Sequence, residues 1–205
     1  IFSQLAADTL GIDMKNIEVR MGDTDEIPSG SGTGGSRATT AGGTSVMSTS
    51  KTMIENGKKV AANLLEAAEI DIEFSDGSFR ISGTDRLASL ADIAKASFNE
   101  AMRPAAVEPG LVTTSEQAMN GPTFPNGCHV CELEIDKATG YIEFLNYTIE
   151  DDIGLILNPL TLSGQILGGA GQGVGQALYE EAVYDETGQL VNGSFMDYTM
   201  PRADN

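Results

Sequence analysis

The chain has 205 residues, of which 40% are hydrophobic and 20% charged, and 12 basic against 30 acidic residues give a formal net charge of −18. This globular composition provides enough chain for one domain or two small ones. The negative charge argues against nucleic acid or an anionic membrane surface as a partner, because both select basic patches.

The predicted elements begin with a helix over 2–10, which ends at Gly11, and a strand over 17–21. A loop rich in Gly, Ser and Thr follows, and then a long helix from residue 36 to about 69, weakened or divided by Gly42-Gly43. The later elements are, in order, a hairpin turning at 75–78, a short helix over 89–98, a connecting loop over 102–110, a strand over 111–119, a hairpin turning at 137–140, a glycine-rich helix over 160–181 and a hairpin turning at 186–188.

Helices and hairpins mix without a regular βαβ order, so the predicted fold class is α+β. All of 1–205 is expected to belong to one domain, with a subdivision into 1–110 and 111–205 as an option. No leader pattern follows Ile1, and no apolar run reaches the roughly 18 residues of a membrane span. We therefore expect a piece of a longer polypeptide, truncated at both ends and without a membrane span.

The cysteines Cys128 and Cys131 form a C-x-x-C within an alternating segment that predicts a strand. Residues three apart on a strand face opposite sides, so the two thiols diverge instead of forming a redox pair. A zinc site needs further ligands, and His129 is the single histidine. The pattern indicates structural thiols, no metal ligands and a reducing, cytoplasmic location.

The most informative segment is the loop before the long helix, which has glycines at 30, 32, 34 and 35. Glycine allows conformations that expose successive backbone N–H groups to a ligand. Ser36 is predicted to cap the helix, so the free amides of its first turn face the same loop. Together these features predict an anion site of the phosphate-binding kind.

Arg37 agrees with this interpretation, because a cation in the first turn opposes the helix dipole at a cost of about 0.3–1 kcal/mol unless an anion lies between them. The alternative is that Arg37 pairs with Asp23, Asp25 or Glu26, and the sequence leaves both open. The loop formally contains G-x-G-x-x-G at 30–35. It follows the predicted strand too late for a dinucleotide fold, and no Gly-Lys-Ser/Thr marks a Walker A loop.

A second glycine cluster lies in the helix over 160–181, where Gly164, Gly168, Gly171 and Gly175 share one face. Each interior glycine costs roughly 0.5–1 kcal/mol relative to alanine, so a partner must approach this face closely. Another helix and a flat ligand both satisfy the pattern. Gln165 carries a donor and an acceptor suited to the edge of an amide-like heterocycle.

The order and spacing of these segments resemble the large subunit of the molybdenum hydroxylases, the family of xanthine dehydrogenase, aldehyde oxidoreductase and aerobic carbon monoxide dehydrogenase. The resemblance extends over essentially the whole chain. Its motifs are Gly22-Asp23-Thr24, Pro28, Gly32-Thr33-Gly34-Gly35-Ser36-Arg37, Phe124-Pro125-Asn126-Gly127-Cys128-His129-Val130, Asp151-Asp152-Ile153-Gly154, Asn158-Pro159, Gly164-Gln165-Ile166-Leu167-Gly168-Gly169, Gln172-Gly173, Glu180-Glu181, Tyr184-Asp185, Asp197-Tyr198 and Pro201.

The resemblance implies the second molybdenum-cofactor-binding domain of such a subunit. It implies that the phosphate or dinucleotide part of molybdopterin is lined by Thr33, Gly34, Gly35, Ser36 and Arg37. It implies that the pterin end is reached by Asn158, Thr161 and Gln165. It also implies the cytosine dinucleotide form of the cofactor with molybdenum in the intact enzyme, and iron–sulfur clusters and FAD on partner subunits or domains.

The implied activity is oxidation of a heterocycle, an aldehyde or carbon monoxide with water as the oxygen source. The family's glutamate base lies in a loop beyond the Asp-Tyr-x-x-Pro segment, past Asn205, so no catalytic residue is assigned and the isolated chain is expected to be inactive. Glu180 and Glu181 end a predicted helix and are interpreted as solvated.

The implied partners are the remainder of the large subunit, iron–sulfur and flavin subunits or domains, and a small-molecule substrate, within an oligomer. Two other classes of function stay open from the residues alone. One is a non-catalytic scaffold that packs subunits through its glycine faces, and the other is a generic nucleotide-binding module.

Overall fold

The computed structural model describes residues 1–27, 30, 32–116, 121 and 123–203. Pro28 of the sequence motifs, residues 117–119 of a predicted strand and the terminal Asp204-Asn205 lie outside the described residues. The chain divides into two compact units, Ile1–Phe124 and Pro125–Asn205. The assignment of 1–205 to one domain and its subdivision after residue 110 stay predictions.

Helices and antiparallel hairpins mix along the chain, which confirms the predicted α+β class. The described helices are α1 (Phe2–Leu10), α2 (Gly43–Leu65), α3 (Leu90–Ala96) and α4 (Pro159–Leu178), with a π-helical turn at Ala38–Gly42 and 3-10 turns at Met14–Asn16, Glu69–Asp71 and Pro109–Leu111. The described strands are β1 (Ile72–Ser75), β2 (Ser78–Ile81), β3 (Leu87–Ser89), β4 (Asn126–Ile135) and β5 (Ile142–Asp152). Of the helices in this part of the chain, none combines the length and apolar character needed to cross a bilayer.

The core of the first unit forms where α2 packs on a three-stranded antiparallel sheet in the order β1-β2-β3. Gly57 of α2 lies under the fully buried ring of Phe79, and a Cβ at this glycine would overlap the ring. The glycine therefore lets the helix approach the sheet closely. The other large apolar side chains that are fully buried in this core are Val60, Ile93, Val107 and Leu111, each worth about 1.5–3 kcal/mol on burial.

The hairpin predicted at 75–78 is confirmed. Strands β1 and β2 pair with Phe74 opposite Phe79, and the turn residues Asp76 and Gly77 have φ values of 47° and 71°. Two successive left-handed residues give a type I′ turn, whose twist matches that of the flanking strands. Asp-Gly is a favoured pair at this turn, because both residues tolerate the left-handed region.

Helix α1 begins and ends as predicted, and α3 begins as predicted but ends at Ala96, before the predicted end at residue 98. Helix α1 ends at Gly11, which has φ 61° and ψ 37°. Helix α3 follows Ser89, whose hydroxyl accepts the Asp92 N–H at 3.1 Å while the Asp92 carboxylate accepts the Ser89 N–H at 3.3 Å. This capping box satisfies two backbone donors, and the hydrogen bond from Ser89 lowers the pKa of Asp92.

Two predicted strands are wrong within the described residues. Residues 17–21 pair with no other described strand, and Val19 and Met21 are 40% and 67% exposed. Residues 111–116 are irregular after the turn Pro109–Leu111. Alternation predicts an extended chain, but a strand also needs a neighbour for its backbone hydrogen bonds. Helix α2 ends at Leu65, before the predicted end near 69, because Glu66 is left-handed at φ 52°.

The second unit is based on the long hairpin of β4 and β5, which confirms the strands predicted around 137–140. At this turn the Asp136 carboxylate accepts the Ala138 N–H at 2.8 Å and the Thr139 hydroxyl at 2.7 Å. Helix α4 follows β5 and confirms the glycine-rich helix. The last predicted turn is present, with Gly188 N–H donating to Asp185 at 3.0 Å, but its flanking segments form only one described bridge, Tyr184 to Leu190.

Candidate functional site

The glycine-rich loop of the first unit enters the long helix through backbone conformations of opposite hand. Gly35 and Ser36 have φ values of 62° and 54°, and Arg37 returns to the right-handed region at φ −98° and ψ −8°. A left-handed residue followed by a right-handed one turns successive N–H groups toward one side. We call residues 33–37 the amide nest, because this geometry is of the kind that binds anions.

The amide nest is exposed. All of its residues lie at the surface, and a Cβ added at Gly32, Gly34 or Gly35 would meet nothing within 4 Å in the described part of the chain. Within the same part, no backbone carbonyl accepts the N–H groups of residues 33–36. A ligand could therefore approach this backbone without displacing a described side chain.

Ser36 is not the helix cap that the sequence predicts. A capping serine has an extended backbone and accepts a backbone N–H, whereas Ser36 is left-handed and the residue preceding the helix is Arg37. The helix begins with the π-helical turn Ala38–Gly42, a feature often found at functional sites, and continues as α2.

The pair Gly42-Gly43 does not divide this helix, because α1 packs on it. A Cβ on Gly42 would lie 2.8 Å from Phe2 Cζ, and one on Gly43 would lie 3.0 Å from Leu5 Cδ1. The glycines therefore provide room for a neighbouring helix, and the packing holds the start of the long helix just after the amide nest.

The acidic residues ahead of the nest make local contacts. The Glu26 carboxylate pairs with Arg20 at 2.6 Å, and the Asp23 carboxylate accepts the Asp25 N–H at 2.9 Å. Two of the three carboxylates suggested as partners for Arg37, Asp23 and Glu26, thus make contacts with residues of the same segment, 20–26. Arg37 is exposed at the start of the helix.

The other predicted site residues lie in the second unit, at the start of α4. Asn158 is the N-cap, and its Oδ1 accepts the Thr161 N–H at 3.1 Å. The Thr161 hydroxyl in turn donates to the Asn158 carbonyl at 3.1 Å. Gln165 is exposed one turn further on, and the spacing of three and four places all three residues on one face. Since the cap uses Oδ1, the Nδ2 group of Asn158 is the part of this amide that a ligand would contact.

The glycine face of α4 is packed at one position only among the described residues. A Cβ at Gly164, Gly168 or Gly171 would meet nothing within 4 Å, whereas one at Gly175 would lie 2.6 Å from Glu180 Oε1 and 2.8 Å from Pro201 Cδ. Contact with the non-helical segment after α4 therefore explains Gly175 and leaves the first three glycines to a ligand or to a further protein segment.

A groove of about 500 Å³ runs along α4 and is lined by Gly169, Gln172, Gly173, Gln176, Glu180 and Tyr198. The Tyr198 hydroxyl donates to Glu180 Oε2 at 2.9 Å, and this hydrogen bond raises the pKa of Tyr198. Glu180 is therefore half-buried and hydrogen-bonded, whereas Glu181 is exposed, in agreement with its interpretation as solvated. No local sequence signal indicates this contact, because the two residues are 18 positions apart.

The thiols of Cys128 and Cys131 are free and exposed on β4. Strand alternation places them on opposite faces, as predicted. No group of three or more His, Cys, Asp or Glu side chains in the described ranges could hold a metal ion. The sequence pattern also missed the contacts of His129, which meets Tyr147 and Asp151 across the hairpin.

The site residues are thus an exposed amide nest before one helix and a capped, glycine-faced helix in a second unit. Such features define a class of α+β cofactor-binding proteins that hold an anionic ligand by backbone amides. The chain belongs to the molybdopterin cofactor-binding domain family, whose model matches residues 1–205. This membership confirms the family predicted from the motifs.

Individual relatives agree over nearly the whole chain. The gamma subunit of the 6-hydroxypseudooxynicotine dehydrogenase complex of Paenarthrobacter nicotinovorans is 37% identical over 99% of this chain and 26% of its own length. The carbon monoxide dehydrogenase large chain of Hydrogenophaga pseudoflava is 34% identical over 98% of this chain and 25% of its own. A crystal structure of Cu,Mo-CO dehydrogenase in its carbon monoxide reduced state matches with a TM-score of 0.85 and 32% identity, over 99% of this chain and 25% of that one. The chain therefore spans about a quarter of the length of these relatives.

Proposed function

We propose that this chain is the part of a molybdenum hydroxylase large subunit that holds molybdopterin in its cytosine dinucleotide form, with molybdenum. The observation that carries the proposal is the exposed amide nest at the start of the long helix, in a chain whose whole length matches the cofactor-binding family. The names of these relatives, a 6-hydroxypseudooxynicotine dehydrogenase and a carbon monoxide dehydrogenase, support an oxidoreductase.

This proposal assigns a role to one set of residues in each unit. The phosphates are bound by the amide nest, Thr33, Gly34, Gly35, Ser36 and Arg37. In this set the backbone N–H groups donate, and the guanidinium adds a charge-assisted contact. The pterin end is addressed by Asn158, Thr161 and Gln165, whose amide and hydroxyl groups match the donors and acceptors of a heterocycle edge.

The bound group supplies two-electron redox chemistry, through which a heterocycle, an aldehyde or carbon monoxide is oxidised with water as the oxygen source. The chain contributes binding and orientation and no catalytic residue, so we expect it to be inactive by itself. The proposed partners are the rest of the large subunit, and iron–sulfur and FAD subunits or domains that remove the electrons, in a cytoplasmic oligomer.

The test is Arg37→Ala in the full-length polypeptide, with Arg20→Ala as the matched control. Both arginines are exposed, but Arg20 pairs with Glu18 and Glu26 ahead of the nest. A hydrogen bond to a charged group is worth about 1.5–3 kcal/mol, so we expect Arg37→Ala to lower cofactor affinity by about ten- to a hundredfold.

The measurements are fluorescent oxidised pterin, released cytosine nucleotide and molybdenum per polypeptide, with subunit assembly followed by gel filtration. Loss of all three with assembly intact supports the proposal. If Arg37→Ala contains as much pterin, cytosine nucleotide and molybdenum as the Arg20→Ala control, the proposed cofactor role of the nest is wrong. A change in assembly at unchanged cofactor content would instead favour the scaffold alternative.

A further inference from the structure

The long hairpin of the second unit brings three side chains together that the proposed cofactor contacts do not use. In the register of β4 and β5, Gly127 lies opposite Asp151 and Cys131 opposite Tyr147, so His129 shares a face with both Tyr147 and Asp151. Residues diagonally opposite on one face of an antiparallel pair are within reach of long and aromatic side chains. His129 is therefore placed to contact both strand neighbours at once.

Both nitrogens of His129 have a partner. Nδ1 lies 3.2 Å from the Tyr147 hydroxyl, with the two rings edge to face at 5.9 Å, and Nε2 lies 3.6 Å from Asp151 Oδ1. The imidazole therefore lies between two oxygens, the Tyr147 hydroxyl on the Nδ1 side and the Asp151 carboxylate on the Nε2 side. The three residues thus form one polar chain, which we call the histidine clamp.

The Asp151 carboxylate folds back over β4 instead of extending into water. Its side chain is 21% exposed although it lies at the end of a strand, and a Cβ at the facing Gly127 would overlap the carboxylate. Glycine at position 127 therefore provides the space in which Asp151 meets His129.

The connection that follows Asp151 leads directly to the cap of α4. Asp152 Oδ1 accepts the Gly154 N–H at 3.1 Å, and Asn158 caps the helix that presents Gln165. Leu155 and Ile156 in the middle of this connection are 85% and 53% exposed, whereas Ile153 and Leu157 near its ends are half-buried. The end on the side of β5 is held by the pairing of Asp151 and Asp152 with β4, and the clamp adds a side-chain contact at that same point.

We propose that the histidine clamp of His129, Tyr147 and Asp151 positions the start of α4, and through it the contact of Gln165 with the cofactor. The consequence for the cofactor rests on the proposed function, whereas the effect on the connection over 153–157 does not. His129 and Asp151 are positioning residues in this scheme, because they act through the helix start.

The first experiment measures backbone hydrogen exchange over 153–161 in the full-length polypeptide before cofactor insertion. We expect His129→Ala and Asp151→Asn each to accelerate exchange there by about two- to fivefold, the effect of losing one partly exposed polar pair. Glu150→Gln is the matched control, because it also neutralises a carboxylate but lies on the opposite face of β5. His129→Gln keeps a donor for Asp151 and should restore slow exchange, which a side chain that merely fills space would not do.

The second experiment measures pterin content per polypeptide in the same variants, beside Arg37→Ala. Reduced content in His129→Ala and Asp151→Asn, with rescue in His129→Gln and no further loss in His129→Ala/Asp151→Ala, supports positioning through one shared contact. Unchanged exchange over 153–161 in both single variants overturns the clamp. If Arg37→Ala loses pterin while the clamp variants alter exchange but retain wild-type pterin, the proposed function stands and the link to Gln165 is wrong. If Arg37→Ala retains pterin, the proposed function fails, and the exchange rates still decide the clamp.

Discussion

Replacing Gly35 by alanine tests the amide nest without removing a charge. Gly35 has φ 62°, and a Cβ there would meet nothing within 4 Å among the described residues, so the substitution adds backbone strain without overlap. An L-residue in the left-handed region costs roughly 1–2 kcal/mol. Since about 1.4 kcal/mol is a factor of ten, the ratio of formed to unformed nest falls by about five- to thirtyfold, and the apparent affinity for the cofactor falls by up to that factor.

Gly22→Ala is the matched control for this strain. Gly22 also has a positive φ, 75°, and its Cβ would likewise meet no described atom within 4 Å, but it lies ahead of the nest. The assay is the pterin and cytosine nucleotide retained by the full-length polypeptide after dialysis, over a series of protein concentrations. If Gly35→Ala and Gly22→Ala retain equal amounts of pterin and nucleotide, then the change from left-handed to right-handed backbone over residues 35–37 does not form the phosphate site.

Two further predictions concern the stability of the first unit. Gly57→Ala should lower the free energy of unfolding by urea, because overlap with the buried Phe79 ring costs about 1–3 kcal/mol and exceeds the gain in helix propensity of about 0.5–1 kcal/mol. Thr52→Ala, on the exposed side of α2, should instead be neutral or stabilising. Ser89→Ala should cost about 1 kcal/mol through loss of the cap on α3. The Ser89 hydrogen bonds to the Asp92 carboxylate lower its pKa, so their part of the stability is complete above the ordinary carboxyl pKa and is lost as the pH falls through the folded-state value. The bond from the Asp92 N–H to the Ser89 hydroxyl does not titrate, so the difference between the two proteins should narrow in acid.

One result would contradict the prediction for Gly57→Ala, and another would contradict the prediction for Ser89→Ala. A higher urea midpoint for Gly57→Ala would mean that α2 moves away from the sheet at little cost. A stability difference between Ser89→Ala and the parent chain that persists undiminished in acid would mean that the capping box does not depend on the Asp92 carboxylate.

Much of the candidate site on α4 could be predicted, because its signals are local. Asn158-Pro159 indicates a helix start, since asparagine caps through its side chain and proline tolerates the first helical position. The spacing to Thr161 and Gln165 then follows from the helical period. The role of these residues toward a cofactor stays a prediction.

The loop half was predicted less well. Glycine content indicated an anion site, but Ser36 was assigned as a cap and is left-handed instead. Whether one residue adopts a left-handed or a right-handed backbone depends on how the neighbouring chain is held. Here α1 packs on the start of the long helix, and the identity of residue 36 does not reveal this. The glycines at 42 and 43 were expected to weaken or divide the long helix; the π-helical turn changes to α-helix between them, and Phe2 and Leu5 pack on them.

The sequence by itself determined the features that neighbouring residues decide: the Asp76-Gly77 turn, the Ser89 and Asp92 cap, the glycine end of α1 and the period of α4. These depend on backbone preferences and hydrogen bonds within a few residues. Tertiary structure alone decided whether residues 17–21 find a strand partner, and that His129 meets Tyr147 and Asp151. Pairing and register join residues far apart in the chain, and their energy comes from contacts that no local pattern contains.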